Sequence, residues 1–346
     1  HPSNSFIYLY GNMDMEEKLE FLDSHYLSAF DSLVIDSEIR NQEAFAQVKD
    51  IQKSYPVSED EGEEDNTYLS YNMVVGEAAD INLSLAFEVL DYALLSAPGA
   101  PLKQALLDAK IGKDIYGSFE DGIKQTYFSI VAKGANLSQK EEFVKVIRDT
   151  LTKIMEEGID KKAVTAGINY YEFRFREADF SSYPKGLMYG LDILSSWLYD
   201  DTKPFCEVQL LEGFEFLKKA LEEGYFEDLI RKYLLDNTHG AILSLVPEKG
   251  LAAKRDKELE EKLENYRKSL SDEELTRMVE NTKALEAYQE SEEDPEALTC
   301  IPMLSREDIK KEITGLTNEE HYVDDSLFLY HDVCTNGIGY AVLLFE

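Results

Sequence analysis

Between residues 139 and 235 the chain carries five amphipathic segments in close succession, at 139–157, 161–178, 185–199, 211–223 and 226–235. Apolar residues recur in each at three- and four-residue intervals, so each has one face that must be buried. Ahead of them lie strand-like runs at 48–56 and 67–75 and two more that Gly112, Gly117 and Gly122 punctuate, the second at 123–132. Behind them comes the run 241–246, which Pro247 is expected to end. Strands grouped ahead of helices, with one strand returning at the end, predict an α+β fold, a mostly antiparallel sheet packed by helices on one side. With 44% hydrophobic and 11% aromatic residues, a chain of 346 can fill such a core.

The runs 48–56 and 67–75 flank the acidic stretch Glu59-Asp60-Glu61-Gly62-Glu63-Glu64-Asp65 and read as a hairpin with a solvated tip. A helix follows with Leu83, Phe87, Leu90 and Leu94 on one face, Pro98-Gly99 ends it, and a short helix spans 102–109. At the start, Phe6-Ile7-Tyr8-Leu9-Tyr10 reads as a strand feeding a helix that carries Leu19, Leu22, Tyr26 and Phe30. The same strand-to-helix step recurs at 241–246 and the charged helix from about 251. That helix has Leu259, Leu263, Tyr266 and Leu270 on one stripe, and Ser271-Asp272-Glu273-Glu274 is a capping box that starts a second helix. Leu275, Met278, Val279, Leu285 and Tyr288 continue the apolar face up to the charged linker 290–295, so a helical hairpin linker is predicted. Two last strands, 327–333 and 338–345, are expected to pair through Cys334-Thr335-Asn336-Gly337, since Asn-Gly favours a tight hairpin turn. The run 338–345 is apolar on both faces and should lie inside a sheet. The expectation is therefore an interior piece of a longer polypeptide.

Sixty-nine acidic against 35 basic side chains give a formal charge of −34, which repels phosphate backbones and argues against nucleic acid as a partner. No run of about 18 apolar residues and no leader-like start are present, so no membrane partner is expected. Cys206, Cys300 and Cys334 form no C-x-x-C pair, which suits a reducing, cytoplasmic setting. His1, His25, His239, His321 and His331 are scattered and neither H-E-x-x-H nor H-x-x-E-H occurs, so no metal ligand and no cofactor are expected on this chain. His239 reads as a turn or capping group. Serine-nucleophile, Walker and dinucleotide motifs are missing, and carboxylates are too abundant for any pair to stand out as an acid–base couple. Tyr170, Tyr171, Phe173 and Phe175 read as packing residues.

The opening His1-Pro2-Ser3-Asn4-Ser5 with the following Phe6–Gly11 run resembles a step in the insulinase-type (pitrilysin-type) zinc metallopeptidases, in their presequence-protease, falcilysin-like branch. Ser96-Ala97-Pro98-Gly99-Ala100-Pro101-Leu102, Tyr127-Phe128-Ser129, Asn237-Thr238-His239, Cys300-Ile301-Pro302 and Thr335-Asn336-Gly337-Ile338 add matches in the same order. The resemblance implies four homologous α+β modules around a chamber, with zinc in the first module of the parent enzyme and peptides as its substrates. Residues 1–35 would end the first, catalytic module, 44–248 would form a complete second module, 249–300 a helical hairpin hinge and 301–346 the start of a third. The partners would be peptide substrates and the remaining modules of the same polypeptide. No catalytic residue maps onto this chain, so on its own it is expected to be inactive. The family's habit of adding substrate as a strand to a sheet edge implies pairing near Gly112, Ile115, Tyr116 and Gly117. The alternative is a zinc-less structural or scaffold relative of processing-peptidase subunits.

Overall fold

Strand β1 (Lys49–Val57) is exposed along most of its length, whereas β2 (Thr67–Glu77) alternates buried and half-buried positions, the signature of a strand covered on one face. They belong to a five-stranded sheet with β3 (Asp114–Glu120), β4 (Gln125–Ala135) and β5 (Gly240–Lys249), in the order β1-β5-β2-β4-β3. β1 and β5 run parallel and every other neighbouring pair is antiparallel. The computed structural model describes residues 1–346 apart from Pro302, Lys310, Ile313, Thr314, Leu316, Cys334 and Glu346. It divides into two units, His1–Gly250 and Leu251–Glu346.

In the first unit, helices α1 (Met15–His25), α2 (Ile81–Asp91), α3 (Pro101–Asp108), α4 (Lys140–Glu157), α5 (Lys161–Glu177), α6 (Lys185–Trp197), α7 (Leu211–Ala220) and the short α8 (Tyr225–Leu229) accompany the sheet. Asp14, Asp80 and Asp160 cap α1, α2 and α5 by accepting from backbone amides in the first turn. The core joins Leu69, Tyr71, Met73 and Val75 of β2 and Phe128, Ile130 and Ala132 of β4 to the apolar faces of α2, α4, α5 and α7. The even-numbered positions of β2 stay half-buried, so the α+β reading with helices on one side of a mostly antiparallel sheet holds.

Three local expectations are corrected. β1 and β2 do not form a hairpin, because β5 lies between them. Ala241, Ile242, Leu243, Leu245 and Val246 suit a strand paired on both sides, while Lys49, Lys53 and Pro56 in β1 suit an edge. Nor does Pro247 end β5, which runs on to Lys249 beside β1. The ladder to β2 stops at Leu245, so the proline's missing N–H falls where only one neighbour remains. Third, residues 6–10 form no ladder, and the helix after them ends at His25, short of Tyr26 and Phe30. Tyr10 and Tyr8 lie instead against Gly186 and Gly190 of α6, and the Phe6 ring meets Trp197 edge-on at 4.8 Å.

The second unit opens with α9 (Leu251–Ser269) and α10 (Asp272–Glu290), the latter started by the reciprocal Ser271–Glu274 capping box the sequence predicts. After the one-turn α11 (Pro295–Leu298), strands β6 (Glu319–Val323) and β7 (Ser326–Tyr330) form an antiparallel hairpin. The segment expected at 327–333 thus pairs backward, through a turn with Asp324 in the left-handed region, and the described residues of 338–345 carry no ladder. Asn336 and Gly337 do take the positive φ their turn calls for, while Cys334 lies outside the described residues.

Candidate functional site

β3 is the outermost strand on the side of the sheet away from β1, and among the described residues its ladder is to β4 alone. Its outer row of backbone amides and carbonyls is therefore a template for another strand. The two edges differ in chemistry. β1 carries Lys49, Lys53 and Pro56, residues that discourage pairing, whereas β3 reads Asp-Ile-Tyr-Gly-Ser-Phe-Glu and carries neither lysine nor proline.

The four residues assigned to strand pairing from the sequence do different things. Ile115 is fully buried and belongs to the core, so only its backbone is available, while Tyr116 is 42% exposed on the opposite face. Gly112 precedes the strand with φ +74 and its backbone lies against the Lys133 carbonyl. Gly117 is required from within: a methyl group there would overlap the Asp91 carboxylate and the Leu95 side chain. Gly112 thus serves a turn ahead of the strand, and Gly117 the close approach of Asp91 and Leu95.

Just past the end of β3, Asp121 lines a cavity of about 310 Å³ that the sequence does not reveal. Glu88 of α2, Asp192 of α6 and Glu207 of the helical turn Cys206–Val208 join it, with Arg174 of α5 and the rings of Tyr171, Phe175, Tyr189 and Phe214. Burial, and then the charge of Asp121, push the Glu88 carboxyl up to about 8. Burial, then Asp121 and Asp192, push Glu207 up to about 7 despite a hydrogen bond from Ser196. Asp121, Asp192 and the neighbouring Asp91 are raised by burial as well, and Tyr171 by burial and by Glu88. Carboxylates that raise one another mark a pocket in which, among the described lining residues, four acids face the single cation Arg174.

His239 is 8% exposed and meets the Phe45 ring edge-on at 4.8 Å; neither ring nitrogen has a hydrogen-bond partner among the described residues. Its backbone N–H donates to Asn237 Oδ1 and its carbonyl accepts from the Val74 N–H, so the turn role expected of it resides in the main chain. Of the aromatic run, Tyr170 stacks on Tyr92 at 5.5 Å and Phe175 packs on Phe214, while Tyr171 faces the acidic cavity. Cys206 and Cys300 are free thiols. Among the described residues no group of three His, Cys, Asp or Glu side chains is arranged to hold a metal ion. The described residues do not fit a zinc centre.

The family model described as Peptidase M16 inactive domain matches residues 1–171, and the model for the region associated with subfamily C of the M16 peptidases matches residues 245–346. A Clostridium perfringens protein named HypA is 44% identical over 346 residues, covering all of this chain and 36% of that protein. The chain belongs to the M16, insulinase-type zinc metallopeptidases, in their presequence-protease branch. Presequence protease 1, chloroplastic/mitochondrial, of Arabidopsis thaliana is 33% identical to this M16 chain over 354 residues, covering all of it and 33% of the plant protein. The chain thus spans about a third of the length of these relatives. A solved protease from Helicobacter pylori is similar with 14% identity and a TM-score of 0.48, over 68% of this chain and 53% of its own. Among the described residues no helix is long and apolar enough to cross a membrane.

Proposed function

We propose that this chain is a non-catalytic part of a zinc-dependent oligopeptidase, supplying chamber wall and hinge to a polypeptide whose zinc residues lie elsewhere. Residues 1–35 would close the catalytic module, 44–248 would be the second module, 249–300 the hinge hairpin and 301–346 the start of the third. The chain alone would hydrolyse nothing. Its free thiols suit a reducing, cytoplasmic compartment.

Its task in this reading is to hold peptide substrate as an added strand along β3. The observation that carries this is the unprotected outer edge of β3, at the opposite end of the sheet from the lysine- and proline-bearing β1. Backbone pairing of this kind gives affinity without fixing sequence, which suits an enzyme that degrades varied peptides. Only alternate amides of an added strand face the host edge. Fluorescence anisotropy with a short unstructured peptide N-methylated on one alternating set of amides should show binding weaker by about tenfold, two lost hydrogen bonds' worth. Methylation of the other set should change it little. Equal effects from both sets would refute strand addition.

A further inference from the structure

A second hollow, of about 410 Å³, lies where the first residues of β1 and β5 meet α4. Val48, Tyr71, Val144 and Ile242 give it an apolar floor. Its charged lining is cation-rich: Lys49, Lys140 and Arg148 stand against Asp50 and Glu141, in a chain of 69 acids and 35 bases. Two of the cations are engaged. Lys140 pairs with Asp50 at 2.6 Å, and Lys49 lies over the Phe45 ring at 5.2 Å.

Arg148 differs from both. Its Nη1 donates to the Leu235 carbonyl at 3.1 Å, directly after the Leu234 carbonyl that accepts from the Tyr71 hydroxyl. Burial pushes that hydroxyl up, and the Arg148 guanidinium beside it pulls the other way. Neutral groups thus fix the guanidinium, and among the described residues it has no carboxylate partner. A guanidinium carries five N–H donors in a planar fork that matches a carboxylate, and one held in place loses less freedom on binding than a mobile lysine. The lining also limits the ligand's charge. With Lys140 neutralised by Asp50 and Glu141 close by, a singly charged group suits the hollow better than a phosphate. Its volume falls within the roughly 300–1,000 Å³ of ordinary ligand pockets, and the floor offers apolar surface for a tail.

We propose that this hollow binds a carboxylate that carries an apolar tail, the carboxylate on Arg148 and the tail on Val48, Val144 and Ile242. Two sources share that chemistry, the C-terminal residue of a peptide and a free monocarboxylic acid. The site is built on β1, β5 and α4, so it stands independently of strand addition at β3.

Titration calorimetry of the intact chain with 4-phenylbutyrate and with its uncharged amide, 4-phenylbutyramide, reads head and tail separately. The acid should bind about tenfold more tightly than the amide. R148M should abolish that preference. K145M removes the same charge from an exposed position on the same helix, outside the hollow, and should keep it. A measurement that needs no variant guards against misfolding of R148M: the acid, and not the amide, should protect Arg148 from modification by phenylglyoxal, read by peptide mass mapping. Equal affinity for acid and amide, or equal loss of preference in K145M, would overturn the proposal. Acetate binding as tightly as phenylbutyrate would reduce the hollow to a bare anion site and also overturn it. A peptide ending in a free leucine that outcompetes phenylbutyrate, and loses that advantage as its C-terminal amide, assigns the site to peptide ends. Phenylbutyrate binding as well as the peptide assigns it to free acids, and either result supports the shared chemistry.

Discussion

Replacing Glu88 by glutamine should stabilise the first unit at neutral and alkaline pH and do little in acid. Burial holds this carboxyl at about 8 against an ordinary value of 4.5. A raised value means that the native state keeps the proton and the unfolded chain releases it. The resulting penalty is absent below about pH 4.5, grows by about 1.4 kcal/mol per pH unit through the window, and is complete above about pH 8. At pH 7 it amounts to about 3 kcal/mol, a large share of a typical domain's stability. The groups facing Glu88 from the surrounding elements reinforce the sign: Asp121 after β3, Glu207 and Asp91 on its own helix all raise it, and Arg174 of α5 opposes them. Glutamine has the shape of the protonated acid, so the variant should match the parent near pH 5. Urea unfolding followed by far-ultraviolet circular dichroism at pH 5 and pH 8 reads the difference directly. Parent and E88Q stabilities that run parallel across that range, or a variant weaker at pH 8, would refute the placement of this carboxyl among the four acids of the cavity.

Two further substitutions probe the scaffold of the site. Gly117→Ala would drive a methyl group into Asp91 and Leu95 and should cost about 1–3 kcal/mol by thermal unfolding, with part of the loss recovered in D91A/G117A. Tyr71→Phe removes the buried hydrogen bond, 2.6 Å long, from its hydroxyl to the Leu234 carbonyl, and should cost about 1–3 kcal/mol in urea unfolding because that carbonyl is left without its donor.

The helices were legible because their signals are local. The Ser271–Glu274 capping box, the stripe of Leu83, Phe87 and Leu90, and the alternation through β2 each depend on residues a few positions apart, and each holds. Strand pairing was less legible because it is decided elsewhere. The runs on either side of the acidic loop look like hairpin partners until β5, more than 160 residues after β2, inserts between them. An apolar strand with two unpaired edges outcompetes a short loop closure, and the lysines of β1 move to the outside. The same reasoning applies to residues 6–10: Tyr8 and Tyr10 lie against two glycines on α6 instead of joining a ladder, and Phe6, Ile7, Leu9 and Tyr10 stay exposed.

The acidic cavity marks where sequence reading ends for a chain of this composition. Its members at 88, 121, 192 and 207 share no spacing, and each is one of 69 acids. Chemistry at a single position cannot distinguish Glu88 from the solvated acids of the loop 59–65, because the two differ only in what the fold brings near them. What does distinguish it is the relation among elements: α2 lies across β3 tightly enough to require Gly117, the β3–β4 turn then places Asp121 beside α2, and α5 and α6 close the remaining sides with one guanidinium among several rings. The edge of β3 and the cavity thus have one structural cause, the close seat of α2 on the outermost strand, and a substitution that loosened that seat would disturb both together.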